Sequence, residues 1–294
     1  MAAYDASKLK LPFMKYRFIA VGFSAALILL SLFSLAVKGV NYSVDFSGGI
    51  ALQLRFQEPV DVGEIRAALS EAGQGQATIQ VYDESDILLR YQDSSDAVRG
   101  EILSTLEARF GSVVIVRIDE VGPVVGQELR RQAAVAVSFA IAAILVYMAF
   151  RFRFRFGVAA VLALAHDAVI MLGVYSFTGR EISTSFIAAV MTVIGYSLND
   201  TIVVLDRVRE NWNQLRTRSI LELVNTSINQ TLTRTIFTSL TTLMPVAAMF
   251  VFGGEVISNL SFAFLVGIAV GTYSSIYVAG AIVAEWYLRR PETR

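Results

Sequence analysis

Six long apolar runs alternate with short polar turns, and one polar stretch of different texture separates the first run from the other five. The runs cover approximately residues 18–37, 132–150, 157–177, 183–205, 235–252 and 259–287. Each approaches the roughly 20 residues that a helix needs to cross the hydrocarbon core of a bilayer. The pattern predicts an α-helical polytopic membrane protein with six transmembrane helices. The first run follows Lys8, Lys10, Lys15 and Arg17. It is longer than the ~7–15 apolar residues of a secretory signal and has no convincing small-x-small cleavage site, so it reads as an anchor.

The polar stretch, residues 38–131, has the periodicities of a folded α+β domain. Tyr42 to Phe56 reads as a strand, with alternation clearest from Ile50 to Phe56. Asp61 to Ala72 reads as a helix with Val62, Ile65, Ala68 and Leu69 on one face, stopped by Gly73 and Gly75. Ala77–Tyr82 and Ile87–Tyr91 form a hairpin around Asp83 to Asp86. Ser95–Phe110 is a second helix carrying Val98, Ile102, Leu106 and Phe110, stopped by Gly111, and Ser112–Ile118 is a last strand. The order β-α-β-β-α-β is the ferredoxin-like, split βαβ arrangement. That fold leaves function open, and no metal cluster, phosphate loop or catalytic dyad is apparent in this stretch.

Composition agrees with the division. The chain is 55% hydrophobic and only 17% charged, below the ~25% charge of soluble domains. Cysteine is absent, which excludes disulfides and thiolate metal sites. Net charge is zero, yet fifteen of the 25 acids lie between Lys38 and Arg131 against nine basic residues. Lys8, Lys10, Lys15 and Arg17, Arg151, Arg153 and Arg155, Arg207, Arg209, Arg216 and Arg218, and Arg289, Arg290 and Arg294 all fall on one side of the predicted spans. The opposite short loops carry Arg180, Glu181 and Glu255. The positive-inside rule then places both termini in the cytoplasm and residues 38–131 outside. The expected division is 1–37 for the N-terminus and first helix, 38–131 for the external domain, 132–287 for helices two to six and 288–294 for a cytoplasmic tail. The run Arg151 to Arg155 reads as a topology-setting turn, and no nucleic-acid partner is expected.

The chemistry sits in the apolar runs. Asp200 and Arg234 lie within or beside them, and an ionisable group at the bilayer centre costs about 2.5–3.5 kcal/mol or more. Such groups usually face the bundle interior, pair, and mark ion or proton paths. Tyr196, Asn199, Asp200, Val203 and Arg207 share one broad face of the fourth helix, with Asp206 and Arg207 as interface residues. Arg234 opens the fifth run beside a file of hydroxyls that includes Thr231, Thr235, Thr238, Ser239 and Thr242. Burial favours a neutral carboxyl and a guanidinium favours a charged one; a carboxylate between these influences can be toggled by movement of the arginine. His166 and Asp167 lie mid-membrane in the third run, and adjacent helical positions diverge by about 100°, so they need not serve one site. Gly267 and Gly271 give the sixth helix a small-xxx-small packing face.

Other functions fit less well. An aspartyl protease would draw on Asp167 with Asp200, but the Gly-x-Gly-Asp phrase is missing. A serine protease would pair Ser197 with His166 without the usual glycine frame. A passive channel is disfavoured, since an acid and an arginine do not make a ring of one sign. A scaffold for other subunits and an exporter of lipids or small molecules remain alternatives.

Several phrases together resemble the SecF family of bacterial protein-export membrane proteins, within the RND superfamily. They are Val44-Asp45-Phe46-Ser47-Gly48-Gly49, His166-Asp167, Gly195 to Asn211, Gln230 to Thr242, and Gly271 to Ser275. Leu205 departs from a position where the family often has phenylalanine. The resemblance implies an inner-membrane subunit with an RND-like helical domain that works with SecD, the SecYEG translocon and YajC, after SecA has acted. It implies use of the proton-motive force to promote preprotein translocation or release on the outer side. The coupling ion is then the proton, with no cofactor. Asp200 and Arg234 match the family's proton-pathway residues, and His166, Asp167, Asn199 and Thr238 are expected to join them. Gly48 and Gly49 are expected to form a tight bend after the first helix. Six spans rarely hold a complete path in transporters built from two related halves, so a partner chain is expected.

Overall fold

The structure, a computed structural model, describes residues 11–81, 84–93, 95–214 and 219–290, without the side chains of residues 213, 214, 255 and 256. Lys8, Lys10, Tyr82, Asp83, Arg216, Arg218, Arg294 and the Glu255 side chain therefore lie outside the described residues. The chain divides into two units, 42–135 and the remainder.

In the helical unit, α1 spans Arg17–Lys38 after a 3-10 turn at Phe13–Tyr16 and leads to the short strand β1, Asn41–Tyr42. The helices α5 (Pro123–Arg151), α6 (Phe154–Thr178), α7 (Thr184–Gln214), α8 (Ile220–Phe252) and α9 (Gly254–Ser274) follow, with the two-residue strand β6, Glu181–Ile182, between α6 and α7. A π-helical turn, Ser275–Ala279, joins α9 to α10, Gly280–Arg289, without leaving right-handed helical dihedrals. Among the described residues, six helical segments are long and apolar enough to cross a membrane.

Two helices begin well before their apolar runs. Pro123 starts α5, where proline is preorganised and its missing N–H costs no helical bond. Ile220 starts α8, capped by Ser219, whose hydroxyl accepts from the Glu222 amide. The first turns of α8 are polar overall but bury Ile220, Leu223, Val224, Ser227, Ile228 and Thr231 at helical spacing. Arg234, which opens the apolar run, is thus midway along α8 rather than at its start.

The most buried helical segments are α6, α7 and the α9–α10 rod. Small residues make their contacts close. A Cβ on Gly173 of α6 would stand 2.1 Å from the Cβ of Ser31 on α1. The Ser34 hydroxyl meets that of Ser176 at 2.9 Å, and Ser176 donates to the Gly39 carbonyl. At the basic end, Asp206 is paired with Arg151, tying α7 to the end of α5, and Arg207 pairs with Glu210 at 3.0 Å.

In the other unit the strands β2 (Gly49–Phe56), β3 (Thr78–Val81), β4 (Asp86–Tyr91) and β5 (Val113–Val121) form a sheet of order β3-β4-β2-β5 with antiparallel neighbours throughout. Helices α3 (Val62–Glu71) and α4 (Asp96–Phe110) connect them. Asp61 caps α3 and Ser95 caps α4. This is the split βαβ order, closed over Ile50, Leu52, Leu54, Ile65, Leu69, Ile87, Leu89, Ile102 and Leu106.

The strand expected from Tyr42 to Phe56 is interrupted. Val44–Ser47 forms one helical turn, α2, and the chain then reverses through Gly48 (φ +72°) and Gly49 (φ +103°). A Cβ on Gly49 would stand 2.4 Å from the Tyr91 carbonyl oxygen. Only glycine allows β2 to approach β4 there in that backbone conformation.

Candidate functional site

Asp167 is fully buried on α6 in the helical unit. Three side chains meet its carboxylate. The Ser197 hydroxyl of α7 donates to Oδ2 at 2.6 Å, and the Ser274 hydroxyl of α9 donates to the same oxygen at 2.8 Å. Nδ1 of His166 lies 2.9 Å from Oδ1. The adjacent His166 and Asp167 side chains therefore meet in one cluster despite their divergence around the helix. Hydrogen bonds to a buried carboxylate are the strong class, and these join three helices next to the π-helical turn. Such turns recur at functional positions.

The cluster extends to α1. The His166 ring lies 6.2 Å from that of Tyr273, whose hydroxyl donates to the Ala20 carbonyl at 2.7 Å and meets Ser24 Oγ at 3.1 Å. Sequence reasoning missed Ser197 and Ser274 as partners of Asp167, although each sits in a phrase already singled out. Ser197 donates to Asp167, and no hydrogen bond between Ser197 and His166 is present among the described residues.

Gly267 and Gly271 set the distance between α9 and α7. A Cβ on Gly267 would meet Val193 at 2.5 Å, and one on Gly271 would meet the Ser197 Cβ at 2.8 Å. The close approach brings Ser197 and Ser274 to the same oxygen.

Asp200 sits one helical turn beyond Ser197 on α7 and is 3% exposed. Among the described residues its Oδ2 has no hydrogen-bond partner, nor do the buried hydroxyls of Thr201 and of Thr235, next to Arg234. Buried polar groups are satisfied in more than ~90% of cases, so unsatisfied atoms beside two intramembrane charges set this region apart. The Arg234 guanidinium exerts its field on the Asp200 carboxyl. The two form no ion pair among the described residues, and Arg234 is exposed at the surface of the chain rather than turned into the bundle. The expectation of an inward-facing pair is corrected: the apolar part of α8 lies at the rim and is largely exposed within this chain.

Asn199 is also exposed. Thr238 is half-buried and donates to the carbonyls of Arg234 and Thr235 on its own helix, at 2.9 and 3.0 Å. The structure thus gathers His166 and Asp167 into one cluster, places Asp200 a turn away, and leaves Arg234 and Asn199 on the outer surface.

Six apolar helices, buried ionisable groups and a separate sheet unit define a polytopic membrane protein of the transport class. Residues 102–289 match the family described as protein export membrane protein SecD/SecF, C-terminal, and residues 33–60 match the SecD/SecF GG motif. The chain belongs to the SecD/SecF family of protein translocase subunits. It is 48% identical to the protein translocase subunit SecF of Desulfurispirillum indicum, over 94% of this chain and 91% of that one. It is 46% identical to the protein translocase subunit SecDF of Thermus thermophilus, over 91% of this chain but 38% of that longer one. A crystal structure of SecDF from Thermus thermophilus, described as translocon-associated, superposes with a TM-score of 0.88 at 43% identity, covering 96% of this chain and 39% of that chain. A second SecDF structure, in a super-membrane-facing form, gives 0.71 at 44% identity and 95% coverage.

Proposed function

We propose that the chain couples inward proton flow to movement of its sheet unit, and so promotes preprotein translocation or release on the outer side of the bacterial inner membrane. Asp200 is the proton carrier and Arg234 modulates its charge. Both termini are cytoplasmic, residues 38–131 are extracytoplasmic, and SecD, SecYEG and YajC are partners, with SecA acting earlier. The observation that carries this reading is a buried carboxyl oxygen without a hydrogen-bond partner among the described residues, midway along a membrane helix and within the field of an intramembrane arginine.

Two further points support it. Arg234 and Asn199 are exposed on helices that cross the membrane, which suits a partner's helices covering them. The two SecDF structures match at nearly equal identity and coverage but different TM-scores, so this region takes more than one arrangement in those relatives. A proton crossing the membrane gains about 2.3 kcal/mol per 100 mV, enough to shift a two-state equilibrium tens-fold.

Depletion of the chain in its own host tests the export role. Unprocessed preproteins should accumulate while sensitivity to drugs and membrane-lipid composition stay unchanged. Altered drug or lipid handling with normal preprotein processing would instead favour an exporter of small molecules.

A further inference from the structure

Between the start of α1 and the end of α10 lies an open groove of about 500 Å³. Its walls are apolar: Phe18 and Val21 from α1, Ala281, Ile282 and Trp286 from the other side. Its mouth is charged, with Arg17, Arg289 and Arg290 set around a single acid, Glu285.

The arginines are not matched by that acid. Glu285 Oε1 accepts from Arg289 at 3.0 Å, and its other oxygen lies 4.0 Å from Arg17 Nε. Arg17 is largely buried, stacks 4.1 Å over the Phe18 ring and gives one guanidinium N–H to the Met14 carbonyl. Its Nε is buried without a hydrogen-bond partner among the described residues. Arg289 and Arg290 are exposed. Among the described residues, the groove thus presents two net positive charges and a buried donor without a hydrogen bond, together with hydrocarbon-like walls. A tryptophan near the charged end is typical of the headgroup level, and arginine stems lie along apolar surface with their charge at that level.

We propose that this groove binds one anionic phospholipid. Its phosphate sits on Arg17, Arg289 and Arg290, and an acyl chain runs along the Phe18, Val21, Ile282 and Trp286 face. A soluble phosphoester would use the arginines but leave the apolar wall uncovered, so the occupant is a lipid of the leaflet at this end of the bundle. The site is separate from Asp200 and does not depend on the proton-coupling reading.

Native mass spectrometry of the full chain, delipidated in detergent and titrated with dioleoyl phosphatidylglycerol or dioleoyl phosphatidylcholine, tests the proposal. Wild type should retain one phosphatidylglycerol in preference to phosphatidylcholine. Removing one arginine near an anionic headgroup should weaken binding about fivefold. The variant R289Q/R290Q changes only exposed side chains and should lose about 25-fold in phosphatidylglycerol retention, with phosphatidylcholine unchanged. Glu285→Gln removes the repelling carboxylate and should raise retention. Equal retention of the two lipids by wild type, or unchanged retention in R289Q/R290Q, would overturn the proposal. Glycerol phosphate binding as tightly as the lipid would overturn it too, in favour of a free phosphoester.

Discussion

Gly271→Ala and Gly267→Ala test the contact that assembles the Asp167 cluster. The new methyl at 267 would stand 2.5 Å from Val193 Cγ1, and that at 271 would stand 2.8 Å from the Ser197 Cβ. Carbon atoms in contact prefer about 3.5–4.0 Å, so α9 must retreat from α7 by roughly 1 Å. Crowding of this kind costs about 1–3 kcal/mol. The retreat also separates Ser274 from Ser197, so the two hydroxyls, now 2.8 and 2.6 Å from one Asp167 oxygen, no longer both reach it. A hydrogen bond to a charged group contributes about 1.5–3 kcal/mol, so each substitution should cost about 2.5–6 kcal/mol in all. Gly22→Ala is the control: nothing lies within 4 Å of its Cβ, and alanine in an exposed helix gains up to about 1 kcal/mol. The assay is the thermal midpoint of the full chain in one detergent, followed by size-exclusion fluorescence. Both interface variants should melt several degrees below wild type and Gly22→Ala at or slightly above it. Val193→Ala placed on Gly267→Ala should recover part of the loss, as contacting residues couple. Interface variants as stable as Gly22→Ala would refute the close-packing argument.

Two predictions concern the sheet unit. Gly49→Ala forces a Cβ against the Tyr91 carbonyl in a left-handed conformation. It should lose more than the ~1–3 kcal/mol of backbone strain alone, read as faster amide exchange along β2 and β4, whereas Gly39→Ala, with open space around it, should cost no more than that strain. Burial, opposed by Arg99 and assisted by Glu120 and Asp93, pushes the Tyr91 hydroxyl up to about 12. Because the folded value lies above the unfolded one near 10, stability should be lost as pH rises through that interval. Comparing alkaline unfolding of wild type and Tyr91→Phe checks this, with a later onset expected for the variant.

The apolar runs were legible because a bilayer imposes length and hydropathy on each helix, and the alternating and helical periods of residues 50–110 gave the order of the sheet unit. The polar start of α8 was harder to see. Asn225, Gln230 and Thr233 mask a buried stripe, and those asparagines and glutamines serve tertiary contacts. Asn225 accepts from the Met14 amide, and Asn211 donates to Gln230 at 2.8 Å. Hydropathy averages such positions away, although Ile220, Leu223, Val224 and Ile228 carry the helical spacing. The helical turn at Val44–Ser47 was hidden because Val44 and Phe46 also satisfy a strand's alternation. The convergence of Ser197 and Ser274 on Asp167 is a three-helix contact that no local pattern encodes. The outward position of Arg234 likewise depends on α8 lying at the rim, which neighbouring residues do not reveal.

The central claim is that Asp200 carries the coupling proton. Its most direct test is preprotein export into membrane vesicles carrying wild type or Asp200→Asn, with and without an imposed proton gradient. Chain level and partner recovery must be equal in the two preparations. The account predicts that the gradient stimulates export in wild type and not in Asp200→Asn, while export without a gradient is the same in both. Undiminished stimulation in Asp200→Asn would contradict it and move the proton site to the partner chain.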